Sequence, residues 1–125
     1  MTQDSVTGSP TWHIVEQCIE DSQRWFPAVS HNLPFNVLAL AGEVGELANI
    51  VKKIERGSLD PRSAAVRREM VMEATDVYIY LMNIFGVLGV DPEKSYQIKR
   101  MENEQRFGPG ESLHGSSRAA VRGGE

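Results

Sequence analysis

The sequence predicts an all-α fold, and three observations predict it. Apolar residues recur at three- and four-residue spacing in four separate segments. Ser, Asp and Pro mark the starts of these segments and Pro or Gly marks their ends. No strand pattern competes, because the chain has no Asn-Gly or Asp-Gly turn and no long alternating run.

The first helix is expected from Pro10 to about Phe26. Ser9 can cap it, Pro10 suits its first turn, and Pro27 ends it. Val15, Ile19, Ser22 and Phe26 share one face, flanked by Trp12, Cys18 and Trp25. The second helix opens near Pro34 and runs to about Arg56, with Leu40, Val44, Leu47, Val51 and Ile54 as its apolar stripe. Gly57 is its stop, and Lys52, Lys53 and Arg56 crowd the last turns, where cations suit the helix dipole. Asp60-Pro61 reads as the start of a third helix that extends to about Leu88 and stops at Gly89. Asp91-Pro92 then opens a fourth helix to about Phe107. The chain shows no convincing internal repeat.

At 125 residues the chain suits a single domain. Its folded body is expected over 10–107, between a flexible start at 1–9 and a tail at 108–125 whose five Gly and three Ser predict disorder. Thirteen Lys+Arg against 17 Asp+Glu give a net charge of −4, which argues against holding nucleic acid by bulk positive charge. A lone cysteine, Cys18, rules out an internal disulfide, and His13, His31 and His114 are too scattered for a Cys/His zinc site. Met1–Pro10 is polar and carries no targeting pattern. The longest apolar stretch, Val77–Val90, has 14 residues with Asn83 and two Gly inside. That is too short to span a bilayer and reads as a buried core helix, so a cytoplasmic protein without a membrane partner is expected.

The chemistry lies in two carboxylate pairs, Glu43/Glu46 in AGEVGEL and Glu73/Asp76 in MEATDVY, each at i, i+3 spacing. Helical rotation puts Leu40, Leu47, Ile50 and Ile54 within roughly 60° of Glu43, and Val66, Met70, Val77 and Ile84 within roughly 60° of Glu73. Both residues thus sit inside apolar stripes, with Glu46 and Asp76 at the edges. A single Glu-x-x-Glu on a helix is usually a solvated face. Two pairs inside apolar stripes on neighbouring helices would repel and be desolvated unless their pKa values rise or cations neutralise them. An all-oxygen ligand set favours Mg²⁺ or Mn²⁺ over zinc, and the absence of Glu-x-x-His disfavours a di-iron bundle. Carboxylate-bound Mg²⁺ keeps positions open for substrate phosphates, which points to a nucleotide polyphosphate. Lys99, Asn103 and Arg106 form one stripe on the fourth helix, either a solvated basic face or phosphate donors. Lys52 and Lys53 have the same two readings.

Glu43-Val-Gly-Glu46, 26 intervening residues, then Glu73-Ala-Thr-Asp76 resembles the ExxE…ExxD motif of the MazG-like nucleotide pyrophosphohydrolases, within the all-α NTP pyrophosphatase superfamily. LALAGEVGELANIVKKIERG resembles the family's first motif helix, and EATDVYIYLMNIFGVLGVDPEKSYQIKRMENEQRF the remainder, so the likeness covers about Trp25 to Phe107. It implies a four-to-five-helix bundle assembled as a homodimer or homotetramer with composite sites. It implies Mg²⁺-dependent cleavage of a (deoxy)nucleoside triphosphate to the monophosphate and pyrophosphate. By that likeness Glu43, Glu46, Glu73 and Asp76 are the metal ligands, Lys99 and Asn103 match phosphate-contacting positions, and Arg106 matches a basic position after them. Tyr80 matches a position near the nucleotide, and the helical wheel places it within roughly 40° of Glu73 and Asp76; an ordinary core tyrosine is the other reading. His31 falls where some relatives use a His toward the base. The chain departs from deoxycytidine-triphosphate-specific relatives by carrying Lys53 where they have a stacking Trp. Trp25 and Phe26 are then either the stacking group or a buried helix end.

Metal polarisation of the α-phosphate would leave one carboxylate, Glu46, to take the proton of the attacking water, with Glu43 beside it. Phosphoribosyl-ATP pyrophosphatase has the same metal logic but different local motifs, and a non-catalytic helical oligomer that binds metal or a nucleotide signal is the reading from another class. Oligomerisation has separate support: Val77–Val90 is apolar nearly all round, more than four helices of one subunit easily cover.

Overall fold

Two long helices joined by a short connection carry the carboxylates. In the computed structural model residues 8–108 are described, and among them four α-helices and no strands form: α1 Pro10–Trp25, α2 Leu33–Glu55, α3 Ala64–Leu88 and α4 Pro92–Phe107. Of the expected flexible start 1–9 and tail 108–125, residues 1–7 and 109–125 lie outside the described residues. The fold is all-α.

α1 begins where its cap requires. The Ser9 hydroxyl oxygen accepts from Trp12 N–H at 3.1 Å, and the Phe26 N–H closes the other end on Ser22 O at 2.8 Å. The Ser9 N–H and hydroxyl also donate to the Asp91 carboxylate, at 3.1 and 2.8 Å, which ties the start of α1 to the segment following α3. Residues 26–32 turn the chain through backbone bonds from Val29 N–H to Phe26 O and from Asn32 N–H to Val29 O. Asn36 is buried and locks that turn, its amide donating to Asn32 O at 2.8 Å and Ser30 O at 3.4 Å. Asn32 caps α2 by accepting from Phe35 N–H at 2.8 Å.

The third helix starts later than its Asp-Pro signal suggests. Asp60 instead accepts from Arg62 N–H at 2.9 Å, an Asx turn that holds the chain outside the helix. Ser63 is the cap, accepting from Val66 N–H at 3.4 Å, so α3 opens at Ala64. Its far end is as expected. Gly89 adopts φ +69°, its N–H bonds Gly86 O, and Val90 N–H reaches back to Phe85 O.

α3 is the central element, packed against both α2 and α1. α1 approaches it at Gly86, where a Cβ would overlap the Ile19 side chain and come within 3.2 Å of Val15 Cγ1. Val15, Val66 and Met82 are the buried apolar side chains among the described residues. The expectation that Val77–Val90 is a buried core helix is therefore corrected. Met82 and Asn83 are buried, but Tyr78, Ile79, Leu81, Leu88 and Val90 are exposed. The α2 stripe behaves alike: Leu40, Leu47 and Ile54 are half-buried, Val44 and Val51 exposed. The reason is coverage, because α1 and α2 leave other sides of the long α3 cylinder open. At 25 residues α3 as a whole is also long and apolar enough, by length and composition, to cross a membrane, although it carries Glu73 and Asp76.

Among the described residues, those from Glu93 to Gly108 belong to a second unit that holds most of α4. Its surface is laced by Lys99–Glu102 (3.7 Å) and Arg100–Glu104 (3.4 Å) pairs, and the Arg106 guanidinium lies 5.0 Å from the Phe107 ring centroid.

Candidate metal centre and adjoining cavity

The α2–α3 hairpin brings Glu43 opposite Asp76. Each lies twelve residues from the connection, counted from Glu55 and from Ala64, so about 18 Å of helix separates each from the turn. Glu73 sits one turn before Asp76 on the same face. Oxygens of Glu43, Glu73 and Asp76 lie within 4.8 Å of one another, and all three residues are half-buried. This group could hold a metal ion.

The electrostatics show the strain of the arrangement. Partial burial, followed by a hydrogen bond with Glu73 and the charges of Asp76, Glu73 and Glu46, pushes the Glu43 carboxyl above its ordinary range. Like charges cannot crowd together without a proton or a cation between them. A hard cation with oxygen ligands is the partner this donor set fits.

Glu46 does not join the converging trio. It is exposed, one turn along α2 from Glu43, and acts on that carboxyl only through its charge.

A cavity of about 250 Å³ adjoins the carboxylates. Glu43 and Asp76 form part of its wall, and four aromatic rings, Trp25, Phe26, Phe35 and Tyr80, form much of the rest. Trp25 and Phe26 are 61% and 58% exposed, so they are not a buried helix end. α1 contributes Cys18, Asp21 and Ser22, and α3 adds Ile79 and Asn83. Asp21 is held by Arg24 at 3.3 Å and accepts from the Gln17 amide at 3.3 Å. Burial, and then the Asp21 charge, push the Cys18 thiol up, which keeps it neutral and weakly nucleophilic.

Of the residues singled out in the sequence, Glu43, Asp76, Tyr80 and Trp25 line this cavity and Glu73 stands at the carboxylate cluster. His31 is outside the cavity wall, exposed, and accepts from the Gln23 amide at 2.6 Å. Lys53 is exposed on the last turn of α2, and its carbonyl accepts from the Ser58 and Leu59 N–H groups of the helix end. Lys99, Asn103 and Arg106 are exposed on α4, in the second unit.

Sequence reasoning offered Trp25 and Phe26 as a possible stacking group but missed Phe35 and Asn83 as cavity residues. The signal for Asn83 was present: an amide inside the apolar run VYIYLMNIFGV asks for a reason.

No protein-family model and no curated protein matches this chain. The chemistry of the site is thus read from its geometry. A cation at the trio would sit beside a slot walled by flat apolar rings.

Proposed function

We propose that the chain is a Mg²⁺-dependent nucleoside triphosphate pyrophosphohydrolase, cleaving a (d)NTP to the (d)NMP and pyrophosphate. One observation carries the reading: three carboxylates from two helices converge next to an aromatic-walled cavity, so one site offers metal–phosphate and base-stacking chemistry side by side. The MazG-like motif over the same residues agrees with it.

Glu43, Glu73 and Asp76 hold Mg²⁺, with Mn²⁺ as a substitute. When bound, the ion polarises the α-phosphate and neutralises charge on the pyrophosphate leaving group. A water oxygen bonds to the α-phosphorus, and the anhydride bond to the bridging oxygen breaks, that oxygen leaving with pyrophosphate. Glu46, outside the trio, takes the water's proton. Trp25, Phe26, Phe35 and Tyr80 hold the nucleoside. Lys99 and Asn103 resemble phosphate-contacting positions of the MazG-like family, and Arg106 a basic position after them.

The working form is a homodimer or homotetramer of helical bundles. The exposed apolar side chains of α2 and α3 outside the cavity wall, Val44, Val51, Leu81 and Leu88 among them, support a covering subunit.

The decisive experiment incubates the folded protein with Mg²⁺ and a panel of canonical and oxidised or deaminated (d)NTPs and measures pyrophosphate. Release from at least one member is expected. A folded sample that binds nucleotide but releases pyrophosphate from none is a non-catalytic binding module, and the proposal fails.

A further inference from the structure

Every charged side chain in the wall of the cavity is a carboxylate. Asp21 comes from α1, Glu43 from α2 and Asp76 from α3, and among the described residues no Lys, Arg or His lines the space. Much of the remaining wall is aromatic, from Trp25, Phe26, Phe35 and Tyr80.

Glu43 and Asp76 belong to the proposed metal centre, so a bound cation offsets their charge. Asp21 does not, because α1 contributes nothing to that trio. Arg24, outside the wall, lies 3.3 Å from Asp21 but is shared with Glu20 at 3.6 Å. One guanidinium against two carboxylates leaves that group one charge negative. The Asp21 side chain is 28% exposed, so solvent screens it only in part. Its charge reaches the cavity: after burial, it is what pushes up the thiol of Cys18, another wall residue.

Rings and carboxylate act on a ligand in the same direction. The face of an aromatic ring is the negative part of its quadrupole and attracts a cation within about 6 Å of the centroid. A carboxylate attracts the same cation through space, whichever way its oxygens turn. A neutral base gains from stacking alone.

We infer that the cavity selects nucleotides whose base carries a positive charge, with Asp21 as the opposing charge. The inference rests on the nucleotide reading above and names its substrate class. Alkylation at adenine N1, cytosine N3 or guanine N7 leaves a base cationic at neutral pH, as no canonical base is. The substrates are then alkylation-damaged nucleotides, and oxidised bases that stay neutral are excluded.

Isomers separate charge from size in the test. 1-Methyl-dATP and 3-methyl-dCTP are cationic at neutral pH, and N6-methyl-dATP and 5-methyl-dCTP are their neutral isomers. Each is supplied with Mg²⁺ as its α,β-imido analogue, which the proposed reaction cannot cleave. Calorimetry gives Kd in wild type and in Asp21→Asn, a near-isosteric change at a partly exposed side chain. At least one cationic isomer is expected to bind about tenfold or more tightly than its neutral partner. In Asp21→Asn that ratio falls by about threefold or more, the effect of one charge about 6 Å away through water. Equal Kd values within both pairs in wild type overturn the inference, as does a ratio unchanged in a folded Asp21→Asn, or no binding of any of the four. The wild-type comparison stands even where the variant does not fold. These results do not depend on pyrophosphate release, the measurement on which the pyrophosphohydrolase reading fails separately.

Discussion

Replacing Glu43 by Gln should stabilise the metal-free protein and abolish its response to Mg²⁺. Oxygens of Glu43, Glu73 and Asp76 lie within 4.8 Å of one another. Two full charges at such a separation repel by about 0.9 kcal/mol in water and about 3.5 kcal/mol at an effective dielectric constant of about 20. All three side chains are half-buried and thus partly screened, so about 1–2 kcal/mol per pair is the working range. Glu43 belongs to two of the pairs but already holds its proton more tightly than an ordinary glutamate, so part of the repulsion is discharged. The net gain from Glu43→Gln is then about 1–2 kcal/mol, or roughly 4–8 °C in Tm for a domain of this size. Mg²⁺ reverses the order. At a hundredfold excess over its Kd a cation adds about 2.7 kcal/mol to wild type, and the variant, short of one ligand, gains far less. Thermal melts with EDTA and with a Mg²⁺ series, using exposed Glu55→Gln as control, give both numbers. A variant less stable than wild type in EDTA, or one stabilised by Mg²⁺ as strongly as wild type, refutes the idea that these carboxylates form a repelling, cation-binding group.

Other outcomes follow from the same geometry. The folded Glu43 carboxyl binds its proton more tightly than the unfolded one, so its contribution to stability is full below the ordinary glutamate range and is lost as pH rises through the raised value. Urea unfolding in EDTA between about pH 4 and pH 7 should show this contribution, and Glu43→Gln should remove it. Mg²⁺ competes with that proton, so its apparent affinity by calorimetry should weaken on acidification. Gly86→Leu places a side chain where Ile19 and Val15 already lie, and should cost about 1–3 kcal/mol in chemical denaturation by forcing α1 off α3; an unchanged midpoint would show that α1 is not held there. Gly89→Ala puts a Cβ in the left-handed conformation at the end of α3 and should cost about 1 kcal/mol by the same measurement. Glu46→Gln should leave Mg²⁺ binding intact and lower kcat at least a hundredfold; full turnover would remove Glu46 from the role of base.

Local chemistry made much of the fold legible. The Ser9-Pro10 start, the Gly57 and Gly89 stops and the Asp91-Pro92 restart are determined by backbone geometry within a few residues, and the helices end where those residues say. Asp60-Pro61 misled for an equally local reason: Asp60 spends its oxygen on Arg62 N–H, and Ser63, three residues on, is the better placed cap. The carboxylate pairing was legible because i, i+3 spacing fixes a helix face, and the length of the hairpin arms then aligns Glu43 with Asp76.

What the sequence by itself determined is the set of helices and the faces on which Glu43, Glu73 and Asp76 stand, since both depend on contacts within one or two turns. Tertiary structure alone decided which side chains meet. Glu46 shares a motif with Glu43, yet one turn of α2 carries it out of the trio into solvent. Trp25 and Phe26 look like a helix end made to be buried, yet the turn locked by Asn36 sets them around a cavity with Phe35 and Tyr80. Asn83 looks like an imperfection in an apolar run, and its orphaned acceptor exists only because α3 is closed over by neighbours far away in sequence. Periodicity reports where a residue points from its own helix. What stands opposite is settled by packing between segments, and no local rule contains it.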